Sequence, residues 1–126
     1  MTLAFLLIGI SWDQFSSMVG EEKKDEMISK VKEALAKGEE QFKEAGYDYE
    51  FLEYGPDESM DRLTKVLESR TWSGVCIGNG IRSTKQFTTL FEALVNTIHE
   101  KSPQSRLLFN TLQDDTMVAV RRWFTE

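Results

Sequence analysis

With 126 residues, 40% of them hydrophobic, the chain is long enough to close one core and too short for two, so a single domain over residues 1–126 is expected. A formal net charge of -6, with no basic cluster longer than Lys23-Lys24 or Arg121-Arg122, argues against nucleic acid as a partner, because phosphate contacts need a basic face. One cysteine excludes an internal disulfide and suits a reducing, cytoplasmic setting.

The opening run Thr2 to Ile10, TLAFLLIGI, is almost uninterruptedly apolar, as a strand buried on both faces of a parallel sheet must be. It is too short to span a bilayer and lacks a basic leader, so no membrane partner and no signal peptide are expected. Residues 11–20 show no clear period and read as a loop or a single turn. Phe15 and Met18 in it either pack back on the core or fold over a ligand. From Glu22, the alternating spacing of Ile28, Val31, Leu35, Gly38, Phe42 and Ala45 predicts a first helix that Gly46 ends. Tyr47 to Tyr54 reads as an edge strand, because Asp48, Glu50 and Glu53 suit a margin that meets water. Gly55-Pro56-Asp57 turns the chain, and Asp57 or Ser59 is expected to cap a second helix carrying Met60, Leu63, Val66 and Leu67. The acids of both helices read as solvated outer-face charge.

Gly74 to Thr84, GVCIGNGIRST, is the most informative stretch. Val75, Cys76 and Ile77 form a third, fully buried strand. Gly78 and Gly80 let the backbone approach a ligand closely, and Ser83 or Thr84 can cap the helix that follows. The first amides of that helix and the forked Arg82 guanidinium would attract an anion. The plain alternative is a tight turn with a solvated arginine. Phe87, Leu90, Phe91, Leu94 and Ile98 make the apolar face of the third helix, which Ser102-Pro103 stops. Arg106 to Asn110, RLLFN, gives a fourth strand. Asp114 or Asp115 then caps a last helix turning Met117, Val120, Trp123 and Phe124 inward.

Four strands alternating with four helices predict an α/β three-layer sandwich around a parallel sheet. With right-handed crossovers and the acidic strand at one edge, the strand order is 2-1-3-4, a flavodoxin-like sheet truncated by one strand. Chain direction reverses between strands one and three, which opens a crevice at their carboxyl ends. Ser11, Trp12 and Asp13 would line it from one loop and Asn79, Gly80, Arg82 and Ser83 from the other, with Asn110, Thr111 and Asp114 nearby.

Receiver domains share this outline but need an aspartate ending the third strand, where Gly78-Asn79 stands. Flavodoxins bind the flavin phosphate with a hydroxyl-rich loop after strand one, unlike Gly9-Ile10-Ser11-Trp12-Asp13. Neither a Walker phosphate loop nor a GxGxxG fingerprint follows strand one, so no nucleotide or other cofactor is expected. GVCIGNGI is similar to the glycine-rich anion loop of type B ribose-5-phosphate isomerases over less than a tenth of the chain, and no catalytic residue carries across. A longer stretch resembles a group of small, largely uncharacterised microbial α/β proteins. The shared elements are a G-x-G-x-R turn at Gly78 to Arg82, an L-F-E-x-L-V-N-x-I-H helix at Leu90 to His99, and an F-N-T-x-x-x-D-T-x-x-A-V-x-R-W ending at Phe109 to Trp123. The resemblance covers the last two fifths of the chain and implies a fold rather than an activity.

His99, late in the third helix, belongs at the end of the sheet away from the crevice, where it favours the helix terminus. Cys76, inside a strand, reads as a buried, unreactive thiol. Asn96 reads as a helix-packing hydrogen-bonder. No metal-ligand spacing occurs. Asp13 and Asp114 are the acids placed to carry a proton if burial raised their pKa, with Asp114 alternatively a plain cap, and Trp12 either stacks on a ring or packs at the mouth. Two functions follow: a small enzyme or binding protein that holds a small anionic molecule at the crevice, with or without transforming it, or a noncatalytic interaction or assembly module in which edge strands and aromatic loops pair subunits, for example as a homodimer.

Overall fold

The structure is a computed structural model describing residues 2–111 and 115–124. Strands β1 (Ala4–Ile10), β2 (Asp48–Tyr54), β3 (Gly74–Ile77) and β4 (Arg106–Phe109) pair in parallel in the order β2-β1-β3-β4. The helices are α1 (Phe15–Val19), α2 (Glu21–Glu44), α3 (Asp61–Glu68), α4 (Asn79–Arg82), α5 (Thr88–Lys101) and α6 (Thr116–Trp123). Alternation along the central strand sends Leu6, Ile8 and Ile10 into one core with Leu63 and Leu67 of α3 and Leu90, Leu94 and Ile98 of α5. Phe5 and Leu7 enter the opposite core with Phe42 of α2 and Met117 and Val120 of α6. The result is the expected three-layer α/β sandwich on a flavodoxin-like sheet with one strand fewer.

Helix α2 is 24 residues long, about 36 Å at the helical rise, whereas the seven residues of β1 span about 23 Å. Its carboxyl end is tied to the start of β1 by Phe42, whose ring stacks on Tyr49 at 4.5 Å and meets Phe5 edge-on at 5.6 Å. The helix closes in a Schellman motif: the Tyr47 N–H donates to Phe42 O at 2.9 Å and the Gly46 N–H to Lys43 O at 3.1 Å. Gly46 holds φ at +78°, a conformation glycine adopts without a Cβ penalty. Anchored there, the amino-terminal half of α2 reaches past the sheet and overhangs the carboxyl ends of β1 and β3.

Three local expectations are corrected. Residues 11–20 form a 3-10 turn, Trp12–Gln14, and the short helix α1, because Phe15 and Met18 three apart turn one face onto the core while Ser17 faces water. Five residues are too few to print a helical period. The helix after β3 starts at Asn79, with Gly78 as its N-cap, and runs one turn before a 3-10 turn, Lys85–Phe87, leads into α5; neither Ser83 nor Thr84 caps it by its side chain. Trp123 points outward, 55% exposed, with the Arg106 guanidinium 5.3 Å from its ring, since Thr116, Met117, Ala119 and Val120 already fill the inner face of a two-turn helix.

The N-terminus of α3 is held from an unexpected direction. Neither Asp57 nor the N-cap residue supplies a side-chain cap; the buried Tyr54 hydroxyl, at the end of β2, accepts the Leu63 N–H at 3.1 Å and donates to Ser59 O. Tyr54→Phe is expected to lower the unfolding free energy by about 1–3 kcal/mol in urea denaturation, because it leaves that buried N–H without an acceptor. Burial also pushes the Tyr54 phenol above its ordinary range. A folded-state pKa above the unfolded one gives stability that is complete below about pH 10 and is lost at higher pH, so alkaline unfolding should weaken in the phenylalanine variant.

Candidate functional site

The exits of β1 and β3 lie side by side. The Gly78 N–H donates to Ile8 O at 2.8 Å, and a Cβ on Gly78 would stand a tight 3.3 Å from that same oxygen, so glycine suits the close approach of the two strand ends. Under the overhang of α2 this rim borders a cavity of about 260 Å³ that is half open to solvent. Leu7, Gly9 and Ile10 of β1 and Phe51 of β2 form its floor, Met27, Val31, Ala34 and Leu35 of α2 its roof, and Trp12, Phe15 and Met18 one side. The loops after β3 and β4 supply its polar part: Gly78, Asn79, Gly80, Ser83, Thr84 and Asn110.

Asn110 organises that polar end. It is 3% exposed; its Oδ1 accepts the Asn79 N–H at 2.7 Å and its Nδ2 donates to Thr116 Oγ1 at 3.1 Å. The Arg82 guanidinium donates to Asn110 O at 2.9 Å, stands 5.7 Å from the Phe109 ring centroid and lies 3.5 Å from Asn79 Oδ1. The Thr111 N–H and hydroxyl both donate to the Asp115 carboxylate, and Arg122 donates to Phe109 O. The G-x-G-x-R turn and the F-N-T…D-T…R-W ending therefore bond to each other across the ends of β3 and β4.

This geometry redistributes the residues expected at the crevice. Trp12, Asn79, Gly80, Ser83 and Asn110 line the cavity. Ser11 stays off its wall, its N–H given to Tyr54 O at 2.9 Å. Asp13 is exposed and accepts a bond from Gln14, while Arg82 and Thr111 face solvent outside the wall. Asp114 lies outside the described residues. The amides expected to receive an anion are mostly taken: Asn110 accepts that of Asn79, and Gly78 O accepts those of Ile81 and Arg82.

No family model, curated protein or solved structure matches the chain.

Sequence reasoning missed Phe51, Thr84 and the α2 roof. The available signal was length: α2 carries inward apolar residues for longer than the strand beneath it. Trp12 is fixed by its N–H to Glu53 Oε1 at 3.0 Å and stacks on Phe15, with centroids 6.4 Å apart and 22° between planes. The Lys32 ammonium stands 5.8 Å from the Trp12 centroid, at the cavity's side.

Among the described residues no titratable side chain lines the cavity, and no three of His, Cys, Asp and Glu converge as metal ligands would. Cys76 is buried in β3 away from the wall, and burial pushes its thiol up to about 12, leaving it protonated at neutral pH. His99 is exposed in the last turn of α5. Among the described residues no helix is long and apolar enough to cross a membrane.

Proposed function

We propose that the chain binds a small anionic molecule at the carboxyl-terminal rim between β1 and β3. The observation carrying this reading is a pair of half-exposed polar groups on the cavity wall that bond to no other described protein atom. With Asn79 Oδ1 turned toward Arg82, the Asn79 amide N–H groups and the Thr84 hydroxyl have no protein partner among the described residues. Both can donate to an oxyanion. Of the nearby cations, Arg82 stands behind Asn79 and Lys32 lies over Trp12. With no acid or base on the described wall, the reading is one of binding rather than of proton transfer.

Charge reversal at the donor tests it. Asn79→Asp keeps the shape and the oxygen facing Arg82 but puts a carboxylate where the amide donors were. In thermal-shift titrations with acetate, benzoate, inorganic phosphate and phenyl phosphate, at least one anion should raise the wild-type melting temperature. Asn79→Asp should weaken that anion about fivefold or more, since like charges about 4 Å apart repel by about 1–4 kcal/mol at bulk-water and surface permittivities. A wild type insensitive to all four, or a variant that responds as the wild type does, overturns the proposal.

A second reading, an assembly module, is favoured by Val118 and Trp123, each 55% exposed on α6 beside the edge strand β4. Under that reading the anion panel shifts nothing and the sedimentation coefficient rises with protein concentration.

A further inference from the structure

The polar end of the cavity accounts for only part of its wall. Folded cores leave few voids larger than a water molecule, because each one forfeits dispersion contacts. An apolar hole of roughly 150 Å³ stays dry and admits benzene. The space under α2 is about 260 Å³, and its larger part is bounded by Leu7, Phe15, Met18, Met27, Val31 and Phe51, none of which offers water a hydrogen bond. Met18 and Met27 are unbranched and adapt their shape to what lies against them. Trp12 and Phe15, stacked on each other, add a flat aromatic wall.

Resting on the anion reading above, we infer that the ligand is an amphipathic organic anion, whose apolar body of about ten carbon atoms lies under α2 while its charged end meets Asn79 and Thr84. The body is the size of a fused bicyclic ring or a medium-length acyl chain. Inorganic phosphate or acetate would satisfy the donors and leave the apolar space empty, forfeiting most of the contact area.

Isothermal titration of the full chain with acetate, octanoate, 1-naphthoate and the uncharged isostere 1-naphthamide separates the two halves of this assignment. Octanoate or 1-naphthoate should bind at least tenfold tighter than acetate, and whichever of the two is tighter tells a chain from a ring. Ala34→Phe, which projects a ring from α2 into the apolar part, should weaken the tighter anion at least tenfold and leave acetate unchanged. Ala34→Met makes the same test with a smaller intrusion if the phenylalanine variant loses its cooperative melting transition. Acetate binding as tightly as both larger anions, or filled variants binding them as the wild type does, overturns the apolar body while the anion reading survives. Binding of 1-naphthamide equal to that of 1-naphthoate does the reverse: it overturns the anion reading and keeps the apolar body.

Discussion

Phe42→Ala is expected to lower the unfolding free energy by about 3–5 kcal/mol, read as a fall in the urea midpoint at unchanged slope. The Phe42 ring is 0% exposed and touches three other aromatic rings, stacking on Tyr49 and meeting Phe5 and Tyr47 edge-on. Truncation therefore costs the transfer free energy of a whole ring and leaves a cavity that Phe5 and Tyr49, fixed in adjacent strands, cannot collapse to fill. The effect should extend beyond stability. Phe42 and the Schellman turn fix the carboxyl half of α2, and through it the pitch of the overhanging half that roofs the cavity. Phe42→Leu, which keeps most of the volume, should lose less. A midpoint equivalent to under 1 kcal/mol for Phe42→Ala would mean that α2 is held elsewhere.

Asn110→Ala is expected to cost about 2–4 kcal/mol in the same measurement, although it removes only a small polar group. The reason is the state of the partners left behind. The Thr116 hydroxyl loses its bond at 3.1 Å in a buried site, and the part-buried Asn79 N–H loses its bond at 2.7 Å. Each abandoned buried donor or acceptor carries its own desolvation cost of about 1–3 kcal/mol. Thr116→Val breaks the second bond alone and should cost about 1 kcal/mol. Because Asn110 sets the position of Asn79, its loss should also weaken anion binding. Full anion affinity in Asn110→Ala would separate the donor at residue 79 from the strand end that carries it.

Much of the fold could be read locally. The unbroken apolar run of β1, the acids of β2 and the glycine-bounded β3 state how many faces of each strand are buried, and burial on both faces belongs to a central parallel strand. Together with right-handed crossovers, that gave the order β2-β1-β3-β4. The candidate site was legible only as a location. Gly78 and Asn79 mark the rim, yet the direction of each donor depends on neighbours far away in the chain. Asn110, thirty-one residues on, takes the Asn79 N–H that appeared free for a ligand, and its carbonyl holds the Arg82 guanidinium that appeared poised for one. At the start of α3, Ser59 Oγ accepts the Asp61 N–H at 3.4 Å as its place in the sequence suggests, but the Leu63 N–H goes to Tyr54, because a long side chain at a strand end reaches over a turn.

By itself the sequence determined which segments pair into a sheet, which of their faces are buried, and at which rim two strand exits meet. These follow from hydrophobic period and glycine placement, both properties of neighbouring residues. Only the tertiary structure decided what that rim borders: an apolar space under α2, with Asn79 and Thr84 as donors that no other described protein atom takes and Arg82 engaged at its back. A cavity is the difference between the length of a helix and that of the strand it covers, and a free donor is one that no distant acceptor has reached. Both quantities exist only once the chain has closed on itself.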